Sequence, residues 1–157
     1  MPKSNYERLI QLAEEVFAVK NDPDQLDVDQ EVITRLQKMH PSAVSEYNDG
    51  NGPVAWLLLI PTTQHLMERF LSGEISEKEL FDITPAYADY DALYLCSALV
   101  LEEYRRKGIV KQLALSAIKN IRKDHPVKSL FVWPFSNEGD LASEAIAGMA
   151  SLPLYKR

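Results

Sequence analysis

The sequence predicts a mixed α/β domain: a mainly antiparallel central sheet flanked by helices. Three observations lead there. Val54–Ile60 and Leu93–Leu101 are apolar runs of strand length, as expected for strands covered on both faces. Around them, segments with apolar residues at helical spacing begin at capping residues and end at glycine or proline. The resulting order, ααββααβαβαβ, contains a hairpin and does not repeat a βαβ unit. At 157 residues the chain fits one domain, residues 1–157, with 46% hydrophobic and 25% charged residues. A chain of this length buries roughly 68–70% of its unfolded surface, so its core needs no staples.

The first helix opens on Ser4-Asn5-Tyr6-Glu7, a capping-box pattern, and turns Tyr6, Leu9, Ile10, Ala13, Val16 and Phe17 inward. Asn21 to Gln30 breaks the period with Pro23 and four aspartates. No glycine stands sixth from Asp22 and no glutamate twelfth, so this is an acidic loop and not a calcium loop. A short helix, Gln30 to Met39, ends at His40-Pro41. Ala43–Tyr47 and Val54–Ile60 flank Asn48-Asp49-Gly50-Asn51-Gly52, a hairpin turn that needs positive φ angles. Thr63 caps a helix carrying Leu66, Met67, Phe70 and Leu71, stopped by Gly73. Ser76 to Glu79 is a second capping box, and Thr84 to Asp91 a loop.

After the Leu93–Leu101 strand, helical period resumes at Ile109. It places Val110, Leu113, Ala114, Ala117, Ile118 and Ile121 inward and stops at Asp124-His125-Pro126. Val127 to Trp133 is a strand, Pro134 to Asn137 a loop, Asp140 to Met149 a helix of small residues, and Ser151 to Tyr155 a last short strand.

Cys96 stands alone, which excludes an intramolecular disulfide framework and cysteine-rich zinc sites. His40, His65 and His125 form no HxH or HExxH spacing, so no metal is expected. The longest apolar run is far short of the ~20 residues a bilayer span needs, and charges interrupt residues 1–20, unlike a signal peptide. The expectation is a cytoplasmic protein that engages no membrane. The net charge of −6 disfavours a nucleic-acid partner.

Within that acidic chain, Tyr104 to Lys123 holds seven of the 17 basic residues and no acidic one. The cluster is either an anion site or the solvated face of a helix. The geometry of the first reading is specific. A strand passing directly to a helix aims first-turn amides, which lack intrahelical acceptors, at the connecting turn, and the macrodipole adds roughly half a positive charge. Arg105, Arg106 and Lys107 add side-chain charge there, and Gly108 lets a ligand approach the backbone. Such a turn suits a pyrophosphate. Neither GxxxxGK[ST] nor GxGxxG occurs.

The segment Val100-Leu101-Glu102-Glu103-Tyr104-Arg105-Arg106-Lys107-Gly108-Ile109-Val110 resembles the acyl-CoA signature of the Gcn5-related N-acetyltransferases, or GNAT family. That pattern, [Q/R]-x-x-G-x-[G/A], follows a strand often ending V-x-P-E-Y. Arg105 and Gly108 match; Glu102 replaces the proline, and Val110 the small residue. The resemblance runs from about Ser42 to Met149 and implies a GNAT-like sheet with reduced N- and C-terminal strands.

It further implies that backbone groups of Leu99, Val100 and Leu101 pair with the pantetheine arm of acetyl-CoA or another acyl-CoA. Amides from Arg106, Lys107, Gly108, Ile109, Val110 and Lys111 would hold the pyrophosphate, and Asn137 would touch the coenzyme. The implied reaction is acyl transfer to an amine, which needs a base, an oxyanion donor and an acid for the thiolate. The implied partner is a small-molecule or protein amine, with a homodimer admissible. The family's usual tyrosine, seven or eight residues after the asparagine, is replaced by Glu144 and Ala145, so no catalytic residue is assigned. Tyr155, Glu102 and Glu103 are the remaining candidates for proton transfer. Loss of those groups leaves a second reading, a catalytically silent module that binds acyl-CoA or a protein. Cys96 is expected in the core, Trp56 and Trp133 in the core or an acceptor-pocket wall, and Tyr87 to Asp91 in a loop that is either plainly solvated or shapes a pocket for a cationic amine.

Overall fold

A computed structural model of the chain describes residues 4–19, 30–134 and 136–157, so most of the acidic loop expected from Asn21 lies outside the described residues. The elements are α1 (Asn5–Val19), α2 (Gln30–Met39), β1 (Val44–Asn48), β2 (Pro53–Thr62), α3 (Gln64–Leu71), α4 (Glu77–Ile83), β3 (Ala92–Val100), α5 (Ile109–Asp124), β4 (Ser129–Val132), α6 (Asn137–Ala150) and β5 (Leu154–Lys156). Their order is the one the sequence predicts.

The five strands form one sheet in the order β1-β2-β3-β4-β5. The β1–β2 and β2–β3 pairings are antiparallel and long; β3–β4 and β4–β5 are parallel and short. The parallel pairs follow from connectivity, because α5 and α6 supply the crossovers that parallel neighbours need. The hairpin turn uses Gly50 and Gly52 at φ +99° and +111°, as its composition requires. β2 is buried almost throughout, which explains why it lacks the alternation of a half-exposed strand.

Each face of the sheet carries its own core. On one, α2, α3 and α4 pack Leu36, Phe70 and Leu80 against Ile60, Tyr94 and Phe131. On the other, α5 and α6 pack Ala114, Ile118, Ile121, Ile146 and Ala147 against Leu57, Leu59, Leu93 and Leu130. A third cluster sits under α1, where Leu9 meets Val54, Ala55, Leu99, Leu101 and Ile109. Full burial of each such side chain contributes about 1.5–3 kcal/mol, so both faces resist separation. α1 departs from its predicted face: Leu9 is buried, but Tyr6 and Ile10 are exposed. The helix covers only one end of the sheet, so one inward row suffices. The side chains of Val16 and Phe17 lie outside the described residues.

Caps fall where the sequence places them. The Glu7 amide donates to Ser4 Oγ (3.2 Å), the Leu66 amide to Thr63 Oγ1 (3.3 Å), and Ser76 and Glu79 form the reciprocal box. Boundaries move near the C-terminus. The Val127–Trp133 strand shortens to Ser129–Val132, and the last strand falls at Leu154–Lys156. α6 begins at Asn137, not Asp140, because Ser136 Oγ accepts from the Gly139 amide at 3.0 Å.

Candidate functional site

β3 and β4 pair only from Ala92–Tyr94 to Ser129–Phe131, although β3 runs on to Val100. Beyond Tyr94 the two strands part. β3 then keeps a strand partner on its β2 side alone, so alternate backbone N–H and C=O groups face the opening. A β-bulge lies at the parting. Leu58 pairs with Ser97 and Leu59 with Leu95, leaving Cys96 as the extra residue.

The opening is a cleft of about 190 Å³. Leu95, Cys96, Ser97 and Ala98 form its β3 wall, and Val132, Trp133 and Pro134 its β4 wall. Val110 borders it from α5, and Ser136, Gly139 and Ser143 from α6. This volume is below the roughly 300–1,000 Å³ of drug-sized pockets, which suits a thin extended ligand better than a bulky one.

The basic turn stands at the α5 end. A short 3₁₀ segment, Glu102–Tyr104, leaves β3; Arg106 then adopts φ +64° and Gly108 φ +75°. A Cβ on Gly108 would meet nothing within 4 Å, so its glycine answers to backbone conformation and not to crowding. No side chain caps α5. The amides of Ile109, Val110 and Lys111 have no acceptor among the described residues; the first ladder bond runs from the Gln112 amide to the Gly108 carbonyl at 3.0 Å. The N-terminus therefore presents free donors beside three cations.

The turn is anchored from behind. Tyr104 donates its hydroxyl proton to Asp49 in the hairpin turn, and Asn5 Nδ2 donates to the other Asp49 oxygen at 3.3 Å. Arg8 grips both Glu103 oxygens at 2.6 and 2.8 Å. The Tyr104 bond, foremost, holds the Asp49 carboxyl below its ordinary value, while the same bond raises the phenol of Tyr104. Arg8 likewise lowers Glu103. The Lys107 ammonium lies 5.4 Å from the centroid of the Tyr104 ring.

Of the predicted coenzyme residues, Arg105, Arg106, Lys107, Gly108, Ile109, Val110 and Lys111 gather at this turn, and Val110 also lines the cleft. The Val110 side chain packs half-buried on the α5/α6 core and borders the cleft. Leu99, Val100 and Leu101, expected beside the pantetheine arm, stand at and just past the end of β3. Leu99 and Leu101 are buried under α1, the Leu101 amide donates to Val54 at 2.9 Å, and Arg105 Nε donates to the Val100 carbonyl at 3.3 Å. The β4-facing edge of β3 is open from Leu95 to Val100, and within it Leu95–Ala98 line the cleft. Asn137 is exposed on the first turn of α6 and is not among the residues lining the cleft.

The candidate proton-transfer groups are engaged elsewhere or stand outside. Glu103 pairs with Arg8, and Glu102 is exposed at the start of the 3₁₀ segment. Glu144, standing where the family's tyrosine is usual, accepts from Lys156 Nζ at 2.5 Å. Tyr155 is exposed on β5. In the Tyr87–Asp91 loop, Tyr90 is buried and donates to the Pro85 carbonyl at 2.5 Å, while Asp91 accepts from the Gln64 amide at 2.7 Å. Half of that loop thus holds the fold together. Cys96, expected in the core, is half-buried at the bulge and lines the cleft. Among the described residues no group of three histidine, cysteine or carboxylate side chains is arranged to hold a metal. No helix among them is long and apolar enough to cross a membrane.

Sequence reasoning missed a buried polar pair on the α2–α4 face. Glu77 is 5% exposed and accepts a hydrogen bond from the hydroxyl of fully buried Tyr94. Burial above all, and the neighbouring carboxylate, push that phenol far above its usual range. The only local sign was a glutamate inside a capping box, where an exposed position is the ordinary expectation.

An open-edged parallel strand pair beside an uncapped, basic helix N-terminus, within this mixed sheet, defines a GNAT-like fold. A solved structure shares it: an aminoglycoside acetyltransferase from an uncultured soil metagenomic sample, crystallised with trehalose. The likeness covers 91% of this chain and 77% of that one, at 20% identity and a TM-score of 0.50. No family model matches the sequence, and no curated protein does.

Proposed function

We propose that this protein binds acyl-CoA and transfers the acyl group, acetyl in the simplest case, to an amine. One observation carries the reading: the unpaired edge of β3 runs toward the free amides of α5. An arm containing amides is recognised by an open strand edge, as an added strand would be. A pyrophosphate is recognised by helix-terminal amides and cations. Acyl-CoA joins those two chemistries in one molecule. Arg105, Arg106, Lys107 and the amides through Lys111 would take the phosphates, and Leu95–Ala98 the arm. The acceptor class is a small-molecule or protein amine, and the setting we assign is the cytoplasm.

A second reading rests on the lining of the cleft. Among its described residues there is no carboxylate, imidazole or phenol to move a proton. A module that binds acyl-CoA without turnover fits that lining.

Titration calorimetry with CoA and acetyl-CoA tests the shared claim, and a thiol-release screen over amines separates the two readings. Binding is expected to raise the melting temperature, since a ligand at a hundred times its Kd stabilises by about 2.7 kcal/mol. No shift at millimolar ligand, with the protein folded, removes the assignment. Binding without thiol release across the panel selects the silent module.

A further inference from the structure

Resting on the acyl-CoA reading, we infer that Trp133, clamped by Arg157, is the wall that sets the size of the acyl group. The direction of the ligand follows from the cleft. Phosphates at the α5 turn lie beyond the C-terminal end of β3, so the thioester end points back to where β3 and β4 meet, at Tyr94 and Phe131. The first cleft residues beyond that junction are Leu95 and Cys96 on one strand and Val132 and Trp133 on the other. Trp133 and Cys96 also pack toward the α2–α4 face. They therefore close the apex on the side to which a longer chain would have to extend.

Trp133 is held between Arg157 and Phe70, and Arg157 is itself anchored. The Arg157 guanidinium carbon lies 4.4 Å from the Trp133 ring centroid and 4.6 Å from that of Phe70. Phe70 meets the indole edge-to-face at 6.0 Å. Arg157 also donates from its guanidinium to the Ile75 carbonyl at 3.1 Å, and from its backbone amide to Val132 at 3.0 Å. Arg157 is thus fixed to both α3–α4 and β4, and its stacked face limits the indole's swing. Phe131 and Tyr94 belong to the core cluster against which Trp133 packs, and Tyr94 is tied in turn to the buried Glu77. An added methylene at the apex meets a supported wall and not a loose side chain. Trp133 is the specificity-determining residue, and Arg157 a positioning residue acting through it.

The experiment compares the affinities of CoA, acetyl-CoA and hexanoyl-CoA by calorimetry. The wild-type protein should bind hexanoyl-CoA at least about tenfold more weakly than acetyl-CoA, the scale on which pockets resolve methylenes. Trp133→Ala should abolish that ratio, with CoA, which has no acyl group, measured alongside as the reference for each variant. Trp133→Phe should shift the ratio partway, and it serves if the alanine variant fails to fold. Arg157→Ala should relax discrimination and Arg157→Lys restore it. With Trp56 replaced by phenylalanine, Trp133 is the sole tryptophan, and its emission should shift to the red in Arg157→Ala. Equal wild-type affinity for both acyl chains, or an unchanged ratio in folded Trp133 variants, overturns the inference. Failure of the wild type to bind CoA itself is a different result, which overturns the acyl-CoA reading and this inference with it.

Discussion

α5 and α6 bring their N-terminal turns to the same cleft, yet the two ends are built in opposite ways. α6 is capped by Ser136 and carries Glu138 and Asp140 in its first turn, the ordinary way to satisfy amides and complement a helix dipole. α5 has no side-chain cap, is entered through left-handed Arg106 and Gly108, and bears no acid in its first turn. One helix has completed itself with its own side chains. The other leaves its first-turn amides without acceptors among the described residues. A fold that caps α3, α4 and α6 but not α5 is best understood if the cap of α5 comes from outside the chain.

The largest test of that contrast is Gly108→Glu, which places a carboxylate where the external anion would sit. CoA affinity should fall more than a hundredfold, about 2.7 kcal/mol or more, by calorimetry. The left-handed backbone adds a stability cost of about 1–2 kcal/mol, readable by denaturant melts, but the Cβ itself meets open space. Gly108→Asn tolerates the same φ without the charge and should keep measurable binding. If the glutamate variant binds CoA normally, the α5 end is only a connection.

Val110→Gly probes the same turn from the packing side. The valine is half-buried against the α5/α6 core, so its loss should cost about 1.5 kcal/mol, combining helix propensity with partial burial. Affinity for CoA should change less than about tenfold. A much larger gain would mean that the branched side chain crowds the ligand.

The contrast also shows what the sequence can express. Element order, the hairpin, the caps and the basic turn are local patterns, and each was legible because its cause lies within a few residues. The cleft is not local. The Cys96 bulge shifts β3 by one residue relative to β2, with no glycine or proline to announce it. Nor does any local pattern show that Leu95–Ala98 line the cleft where β3 and β4 part. Ser136 was readable as a cap, yet the small residues after it weakened the helical signal and hid the true start of α6. The Arg157 clamp and the Glu77–Tyr94 pair join residues distant in sequence, and no spacing rule brings them together.

Ser136→Ala addresses the completed helix. Removing the cap should cost about 1 kcal/mol in denaturant unfolding. CoA affinity should stay as it was, because the α6 amides are not the ones assigned to the ligand. A large loss of affinity would place the phosphates at α6 and reverse the contrast.

The smallest effect is expected where the two ends touch. Arg106 and Glu138 approach to 3.7 Å across the mouth of the cleft, at side-chain exposures of 89% and 83%. A pair so exposed is worth about 0–1 kcal/mol, so its removal should hardly move stability beyond the small dipole contribution of Glu138 itself. Its effect on an anion is another matter. With the pair intact, a diphosphate approaching α5 meets an arginine already partly neutralised and a carboxylate that repels it. Glu138→Gln removes the repulsion, frees Arg106 and keeps the shape of the side chain, so CoA should bind a few-fold more tightly. The gain is electrostatic and exposed, so it should be clear at low ionic strength and fade as the screening length falls to about 8 Å near 0.15 M salt. Arg106→Gln should act in the opposite sense, and the double variant should fall between the two. Calorimetry across a salt series reads all three. If Glu138→Gln leaves affinity unchanged even at low salt, the diphosphate does not lie between these helix ends, and the acidic turn of α6 has no bearing on what α5 binds.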